Sequence, residues 1–589
     1  MLLDTIIILS AWLILASAYY FWGSLGFRLF GFSLNNSITS SFARIWLGWG
    51  ISLGIFSFLH LFLPINAYSS FWFFLPAFIV LFKKSKDFFI FLKNQKPIVL
   101  FAILLTTITI FVLAAQPIDN PDTGFYHSNT IRWINQYHIV PGIGNLHSRL
   151  GFNQLYFIYC ASINMYPYLT LYGPHVCTTF LWLLLCWELL LTRRKEDIIF
   201  LCILHLIPIS YKYLSSPTTD FASSIFQIIS VRYFLRLIEE KIEDNRNSLI
   251  ALIVITGALS VFIKLSNVFF TFGLILLVIF YVFQNRSSIN IKSLKNPFIF
   301  ISLFVILWII RGYIQTGYPF FPSSFGKINF DWTVDEKVAK NSEKAVYIFA
   351  RLYNYNGNSE LLKGGKWFPV WLNYNTERLK DIKFYNIPSR LFRMLSHFHH
   401  LIVILLHPNA APAYGYGMII LTVFSILALL ICLLGNKNMK EIYKCHKWLL
   451  LLWAITGISL LIWFFLAPAP RFSNSLTLIL FCISMLLLKE IYSKLSLSKT
   501  MIFTLLFIPF AMNFFYIVYY IGLRTLNTPI TNPQIEVQKC LFTDSGLEVF
   551  LIKDGHWAYD SYLLATEEHE FNPRLRLRGS DYGSGFTSK

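Results

Sequence analysis

Runs of apolar residues, each roughly 17–22 positions long, recur from one end of the chain to the other, and short polar segments separate them. That length spans about 30 Å of hydrocarbon as helix. The runs fall at about 5–22, 42–62, 67–82, 98–115, 169–192, 198–214, 220–238, 248–265, 267–284, 297–314, 417–435, 448–466, 472–489 and 501–522. Lipid offers a backbone no hydrogen-bond partner, so each run must close its own bonds as a helix. The pattern predicts an all-α polytopic membrane protein with about 14 transmembrane helices. The first run follows Asp4 and precedes no small-residue cleavage site, so it reads as a retained span rather than a removed signal peptide.

Composition agrees. Of 589 residues, 56% are hydrophobic and only 13% charged, where a soluble chain carries about a quarter. The net charge of +19 would suggest a nucleic-acid partner in a soluble protein. Here Lys and Arg gather in short loops, which is topology control instead, and no nucleic acid is expected. The clusters are Lys83, Lys84, Lys86, Lys93 and Lys96; Arg193, Arg194 and Lys195; Arg286, Lys292 and Lys295; Lys437, Lys440, Lys444 and Lys447; and Lys489, Lys494 and Lys499. With the spans above, all fall on one side, which is therefore cytoplasmic. The eight cysteines include no CxxC pair, so they support neither a zinc site nor a disulfide framework.

The chain then divides into N-terminal helices 1–115, an extracytoplasmic loop 116–168, a central bundle 169–314, a second extracytoplasmic region 315–416, C-terminal helices 417–522 and an extracytoplasmic tail 523–589. The loop 315–416 is expected to pack as short surface helices. Its histidines His397, His399, His400 and His407 match no zinc spacing and read as part of an interfacial helix.

One dense polar cluster stands out. Asp119-Asn120-Pro121-Asp122-Thr123-Gly124-Phe125-Tyr126-His127 begins just past the apolar run that ends at 115. Pro117 and Pro121 halt that helix, which puts the acids at headgroup depth, where a lipid phosphate also sits. Arg132, His138, His147, Arg149, Asn153 and Gln154 follow, around the Gly-rich turn Pro141-Gly142-Ile143-Gly144. Such a mixture suits transfer from a phosphate leaving group. A carboxylate takes the proton of an attacking hydroxyl or helps hold a divalent cation, while Arg stabilises the departing phosphate. Asp122 is the better acid, since Tyr126 and His127 follow at helical spacing. Asp119 equally suits a turn ahead of Pro121. The bland alternative is an ordinary interfacial loop, and each single His reads more readily as structural than catalytic.

Further candidates lie on the same predicted face. Asp220 opens a span, where an acid also caps a helix favourably. Lys264 sits near the outer end of its span; it could bind phosphate or simply snorkel to the headgroups. Arg311 and Arg471 share that alternative.

At these residues the sequence resembles the GT-C class of membrane glycosyltransferases, which includes protein O-mannosyltransferases and lipid A aminoarabinose transferases. The likeness lies in an acid after an early span, followed by a Tyr and a surface helix. DTGFYHSNTIRWINQYHIVPGIGNLHSRLGFN, which starts at Asp122, also resembles an uncharacterised family of bacterial multi-pass membrane proteins. Arg311-Gly312-Tyr313-Ile314-Gln315-Thr316-Gly317-Tyr318-Pro319 is similar to a stretch ending a span in such enzymes. Ala467-Pro468-Ala469-Pro470-Arg471-Phe472 is similar to their late "P.RY" turn. The chain departs from them in having Thr123 rather than a second acid after Asp122, and three spans before the motif-bearing helix where one is usual.

The resemblance implies a sugar donor on polyprenyl phosphate and inverting transfer to a hydroxyl of a saccharide, lipid or protein. This would occur on the outer face of a bacterial inner (plasma) membrane and serve cell-envelope polysaccharide. Asp122, Asp119 and His127 are the catalytic candidates. Tyr126, Arg132, His147, Arg149, Asp220, Lys264, Arg311 and Arg471 are the substrate-binding candidates. A divalent cation (Mg2+ or Mn2+) on Asp122 is the cofactor to test. The competing functions are a transporter or flippase, and a metal-independent ligase or polymerase, of lipid-linked saccharides.

Overall fold

A computed structural model describes residues 2–118, 120–206, 214–352, 362, 364–371, 411–434, 439–491, 530–531, 537–552 and 561–588. The helices are α1 (Leu2–Phe30), α2 (Ser37–Leu59), α3 (Ala67–Phe74), α4 (Pro76–Lys93), α5 (Pro97–Ala114), α6 (Ser128–Gln136), α7 (Tyr156–Asn164), α8 (Gly173–Thr192) and α9 (Lys195–Leu206). They continue with α10 (Thr219–Glu239), α11 (Glu243–Ile263), α12 (Val268–Gln284), α13 (Lys295–Thr316), α14 (Glu336–Leu352), α15 (Ala411–Leu434), α16 (Met439–Leu466) and α17 (Asn474–Ile491).

Nine of the described helices are long and apolar enough to cross a membrane, namely α1, α2, α5, α8, α10, α11, α12, α13 and α16. The chain is therefore a multi-pass helical protein suited to a lipid bilayer. Two expected spans have shorter apolar cores here, Leu421–Cys432 in α15 and Asn474–Lys489 in α17. The expected span 67–82 is divided at Leu75 into the eight-residue α3 and a separate α4, because Pro76 brings no N–H to continue the ladder. The expected span 198–214 is helical to Leu206; residues 207–213, and all of 501–522, lie outside the described residues.

α8 and α10 are the central helices and α16 is largely peripheral. The central ones are the less apolar, since helices walled in by protein carry the polar side chains that lipid-facing ones exclude. α1 and α2 pack at backbone contact. A Cβ on Gly23 would lie 1.7 Å from the Arg44 carbonyl oxygen, and one on Gly48 1.8 Å from that of Tyr19. Small residues allow this approach in membrane bundles.

The bundle has two distinct ends. At one, Arg193 donates to Gln95 (3.2 Å), Arg246 to Ser288 (2.6 Å), Asn296 to the Leu29 carbonyl (3.0 Å), and Lys447 to Gln284. This end carries the basic loops. At the other, His175 bonds the Ala114 carbonyl (2.7 Å), Ser215 the Pro117 carbonyl (3.1 Å), and the Leu155 amide the Phe262 carbonyl (3.0 Å). Asn153 and Trp308 bond each other's carbonyls there at 2.6 and 2.9 Å. The second end thus gathers the segment after α5, the start of α10, the ends of α11 and α13, and the turn before α17.

A cap sits over this second end, and part of it is β structure that the hydropathy pattern did not announce. Strands β1 (Val537–Phe542), β2 (Glu548–Ile552) and β3 (Ala565–Glu567) form a sheet in that order, β1–β2 antiparallel and β2–β3 parallel. β4 (Arg576–Leu577) pairs antiparallel with β5 (Phe586–Thr587). Trp133, Val140, Ile143, Leu146 and Leu150 of the first loop share one buried core with Val549, Leu564, Leu575 and Phe586 of the tail. Asn145 binds the Trp332 carbonyl (2.8 Å), and the Phe586 amide binds the Pro141 carbonyl (2.9 Å). Arg578, within the basic Gly-rich stretch, pairs with Asp331. First loop, second loop and tail therefore close into one cap on the end opposite the basic loops.

Candidate functional site

The segment after α5 is wound so that Asp122 points into a cluster of charge. α5 stops at Ala114, and Pro121 opens the next helix, a position where its missing N–H costs nothing. The Asn120 side chain accepts from the Asp122 amide at 3.1 Å. From Thr123 to His127 the helix widens to a π turn, in which the Ser128 amide reaches back to the Thr123 carbonyl. Such turns are rare and recur at functional sites. Tyr126 and His127 thus follow Asp122 with a wider winding than α-helical spacing predicts.

Two remote arginines meet this acid, and Asp220 and Lys264 are linked to it through Arg471. Arg471 lies in the short turn Pro470–Phe472, held by bonds from Trp463 to the Ala469 carbonyl (3.0 Å) and from Trp371 to the Pro468 carbonyl (2.9 Å). Arg471 Nη1 donates to Asp122 Oδ2 at 2.9 Å, across 349 positions of sequence. Arg149 Nη1 stands 3.8 Å from Asp122 Oδ1. Arg471 Nε is 3.6 Å from Asp220 Oδ2, and Lys264 Nζ pairs with Asp220 Oδ1. The ammonium of Lys264 also lies 3.6 Å from the Phe472 ring centre, and the Arg471 guanidinium 5.1 Å from it. Arg149 stacks near Phe125 and Tyr126, at 5.7 and 5.5 Å.

Among the described residues, three cations therefore face the carboxylates of Asp122 and Asp220. All five side chains stay between 15% and 34% exposed, so the cluster is open to a ligand. Burial by itself would raise the pKa of Asp122, but the guanidinia of Arg471 and Arg149 outweigh it and hold the group well below the ordinary carboxylate range. Burial raises the Tyr126 phenol, with the Asp122 charge adding to it. Burial lowers His127 to about 4, against the pull of Asp122 and Asp220. His127 is thus a neutral imidazole near pH 7. It lies 3.2 Å from the Thr123 hydroxyl and packs against the rings of Tyr126 and Phe157.

The remaining candidates go elsewhere. Asp119 lies outside the described residues, as do His397, His399, His400 and His407. Arg132 is half-buried on α6, where its charge reaches Tyr137. Arg311 is buried against α2, donating to the Ser57 carbonyl (3.4 Å) and meeting His60 Nδ1 (3.0 Å); it supports packing and does not join the cluster. His147 turns toward the tail, 3.2 Å from Glu570. His175 is buried on the Ala114 carbonyl.

As a metal site, Asp122 is poorly furnished. Each of its oxygens faces a guanidinium, and a divalent cation there would have to displace fixed positive charge at contact distance. The described donors at Asp122 do not fit Mg2+ or Mn2+.

Residues 5–403 match a family model described as a domain of unknown function, DUF8201. The chain belongs to that family. The matched segment contains Asp122, Arg149, Asp220 and Lys264, whereas Arg471 and the tail lie beyond it. No curated protein and no solved structure matches the chain.

Two features of the structure were not legible in the sequence. Phe349 of α14 sits 5.7 Å from Arg471, and the neighbouring buried Arg351 donates to the Leu466 carbonyl at 3.0 Å, where a cation suits a helix C-terminus. The amphipathic pattern of 336–352 was the available signal. The second is a sealed network near the basic end. Arg232 binds Glu188 (2.9 Å) and Asp197 (2.7 Å), Trp46 donates to Glu188 (2.8 Å), and Arg236 lies 3.6–3.7 Å from both acids. All four charged side chains are buried. An acid and two arginines inside predicted spans were the signal for it.

Proposed function

We propose that the chain is a GT-C-like membrane glycosyltransferase that moves a sugar from a polyprenyl-phosphate donor to a hydroxyl of a saccharide, lipid or protein. Its basic loops would lie in the cytoplasm of a bacterial cell and its cap outside the inner membrane. The observation that carries this reading is the open cluster at the cap end, in which the Asp122 carboxylate is held between the guanidinia of Arg471 and Arg149.

A donor phosphate brings negative charge to Arg471, Arg149 and Lys264, which are the groups able to bind it. As it competes for the two guanidinia, their hold on Asp122 loosens and that carboxylate becomes more basic. The acceptor hydroxyl then gives its proton to Asp122 while its oxygen attacks the anomeric carbon. The bond from that carbon to the phosphate oxygen breaks, and the electron pair leaves on the phosphate, where the cations stabilise it. Asp220 positions Lys264 and Arg471 from behind. Neutral His127 keeps the π turn packed and carries no charge to the phosphate. The tail of the donor would lie between helices in lipid.

Transfer is measured with the full chain in vesicles containing a polyprenyl-phosphate-linked sugar. Asp122→Asn removes the proton acceptor and is expected to slow transfer by about 10²–10⁴-fold while the protein still inserts and runs as a single species. Full transfer by that variant refutes the role of Asp122. Movement of the lipid-linked sugar across the vesicle with no bond formed would place the chain among transporters instead.

A further inference from the structure

The tail is joined to the first loop by polar groups whose bonding is incomplete. His147, just ahead of the turn Ser148–Gly151, meets Glu567 at the end of β3 and Glu570 in the turn that follows. One potential ligand atom from each lies within 4.8 Å of those of the other two. Glu570 receives the Ser148 amide (2.8 Å) and hydroxyl (2.7 Å), which fix its orientation. His147 is only 2% exposed and Glu567 8%. Yet His147 Nε2 and Glu567 Oε2 are both buried without a hydrogen bond.

His147 Nδ1 accepts from the Arg149 amide at 3.1 Å and lies 3.2 Å from a Glu570 oxygen. Glu567 Oε2 has the His569 imidazole at 3.7 Å, beyond hydrogen-bond reach. A buried polar atom without a partner is costly, and a cation shared by the three side chains would supply one.

We propose that His147, Glu567 and Glu570 bind a divalent transition metal of the zinc type. One imidazole and two carboxylates suit Zn2+ and leave a coordination position open. Mg2+ and Ca2+ prefer an all-oxygen set. The ion would neutralise the two glutamates and clamp the tail to the loop. Arg149 is two residues from His147, and its charge is balanced by Asp122, Glu567 and Glu570 together. A cation at the glutamates would leave Arg149 to Asp122 and to an arriving anion.

The test needs no transferase assay. The full chain in detergent micelles is loaded with Zn2+, desalted and its zinc measured by mass spectrometry, with Mg2+ as the control. About one zinc per chain is expected, with a higher thermal unfolding midpoint and slower protease cutting in the tail. His147→Ala and the double change Glu567→Gln/Glu570→Gln are expected to weaken zinc retention by at least the roughly tenfold that even an outer partner of a metal is worth. Zinc no higher than background in the unaltered chain overturns the proposal without reference to any variant. So does equal retention by the unaltered chain and both variants.

Discussion

His127 shows how a single buried side chain sets a pH limit. Its imidazole takes a proton near 6.5 when free and near 4 in the folded chain. Between those values the unfolded chain binds the proton and the folded chain does not, so folding weakens as pH falls through that window. The contribution is whole above pH 6.5 and exhausted below about 4, and it amounts to about 3 kcal/mol. His127→Phe is expected to flatten this slope in thermal unfolding followed from pH 7 to 4; an unchanged slope would show that His127 does not set it. Asp122 and Arg311 make the complementary point about legibility. Both were candidates from residue type and predicted face. Asp122 meets Arg471, while Arg311 closes on Ser57 and His60. Residue type sets what a side chain can bind, but which neighbour it reaches depends on its rotation about the helix axis.

At the scale of elements, the sequence signals were strong where physics is local. Pro76 divided one expected span and Pro121 opened a helix, and the length of each apolar run followed from membrane thickness. The π turn after Asp122 was not predictable from spacing, because it is kept by the packing of Tyr126 and His127 around it. The turn at Gly142 joins loop to tail. Its φ is +65°, and a Cβ there would meet the Phe586 carbonyl oxygen at 2.3 Å and the Trp332 Cβ at 2.7 Å. Gly142→Ala is therefore expected to cost about 1–3 kcal/mol locally and to free the tail. Limited proteolysis should cut residues 537–588 faster in that variant. Equal cutting rates would show that the tail docks by other contacts.

For the whole molecule, alternation of spans placed the first loop, the turn 467–471 and the tail on one face, and the structure brings them to one end. The compartment at that end is open to direct measurement. In a background whose native cysteines have been replaced, Tyr168→Cys and Phe325→Cys, both strongly exposed, are expected to react with an impermeant thiol reagent applied outside intact cells. Lys84→Cys is expected to react only after the cells are opened. The reverse pattern would overturn the proposed orientation. The contrast between the two charge clusters also belongs to this scale. The sealed set around Arg232 is fully internal and ties helices together, whereas the set around Asp122 keeps exposed surface on every member. The sequence by itself determined a multi-pass helical chain, the shared end of its polar loops and an acid just beyond an apolar helix, because hydropathy, proline and loop charge act over a few residues. Only the tertiary structure decided that Arg471 and Asp220 complete the surroundings of Asp122, that the tail folds as β structure on the first loop, and that His147 faces two glutamates more than 400 positions away. Those pairings depend on the order and rotation of packed helices, and a stretch of chain carries no record of either until it meets its neighbours.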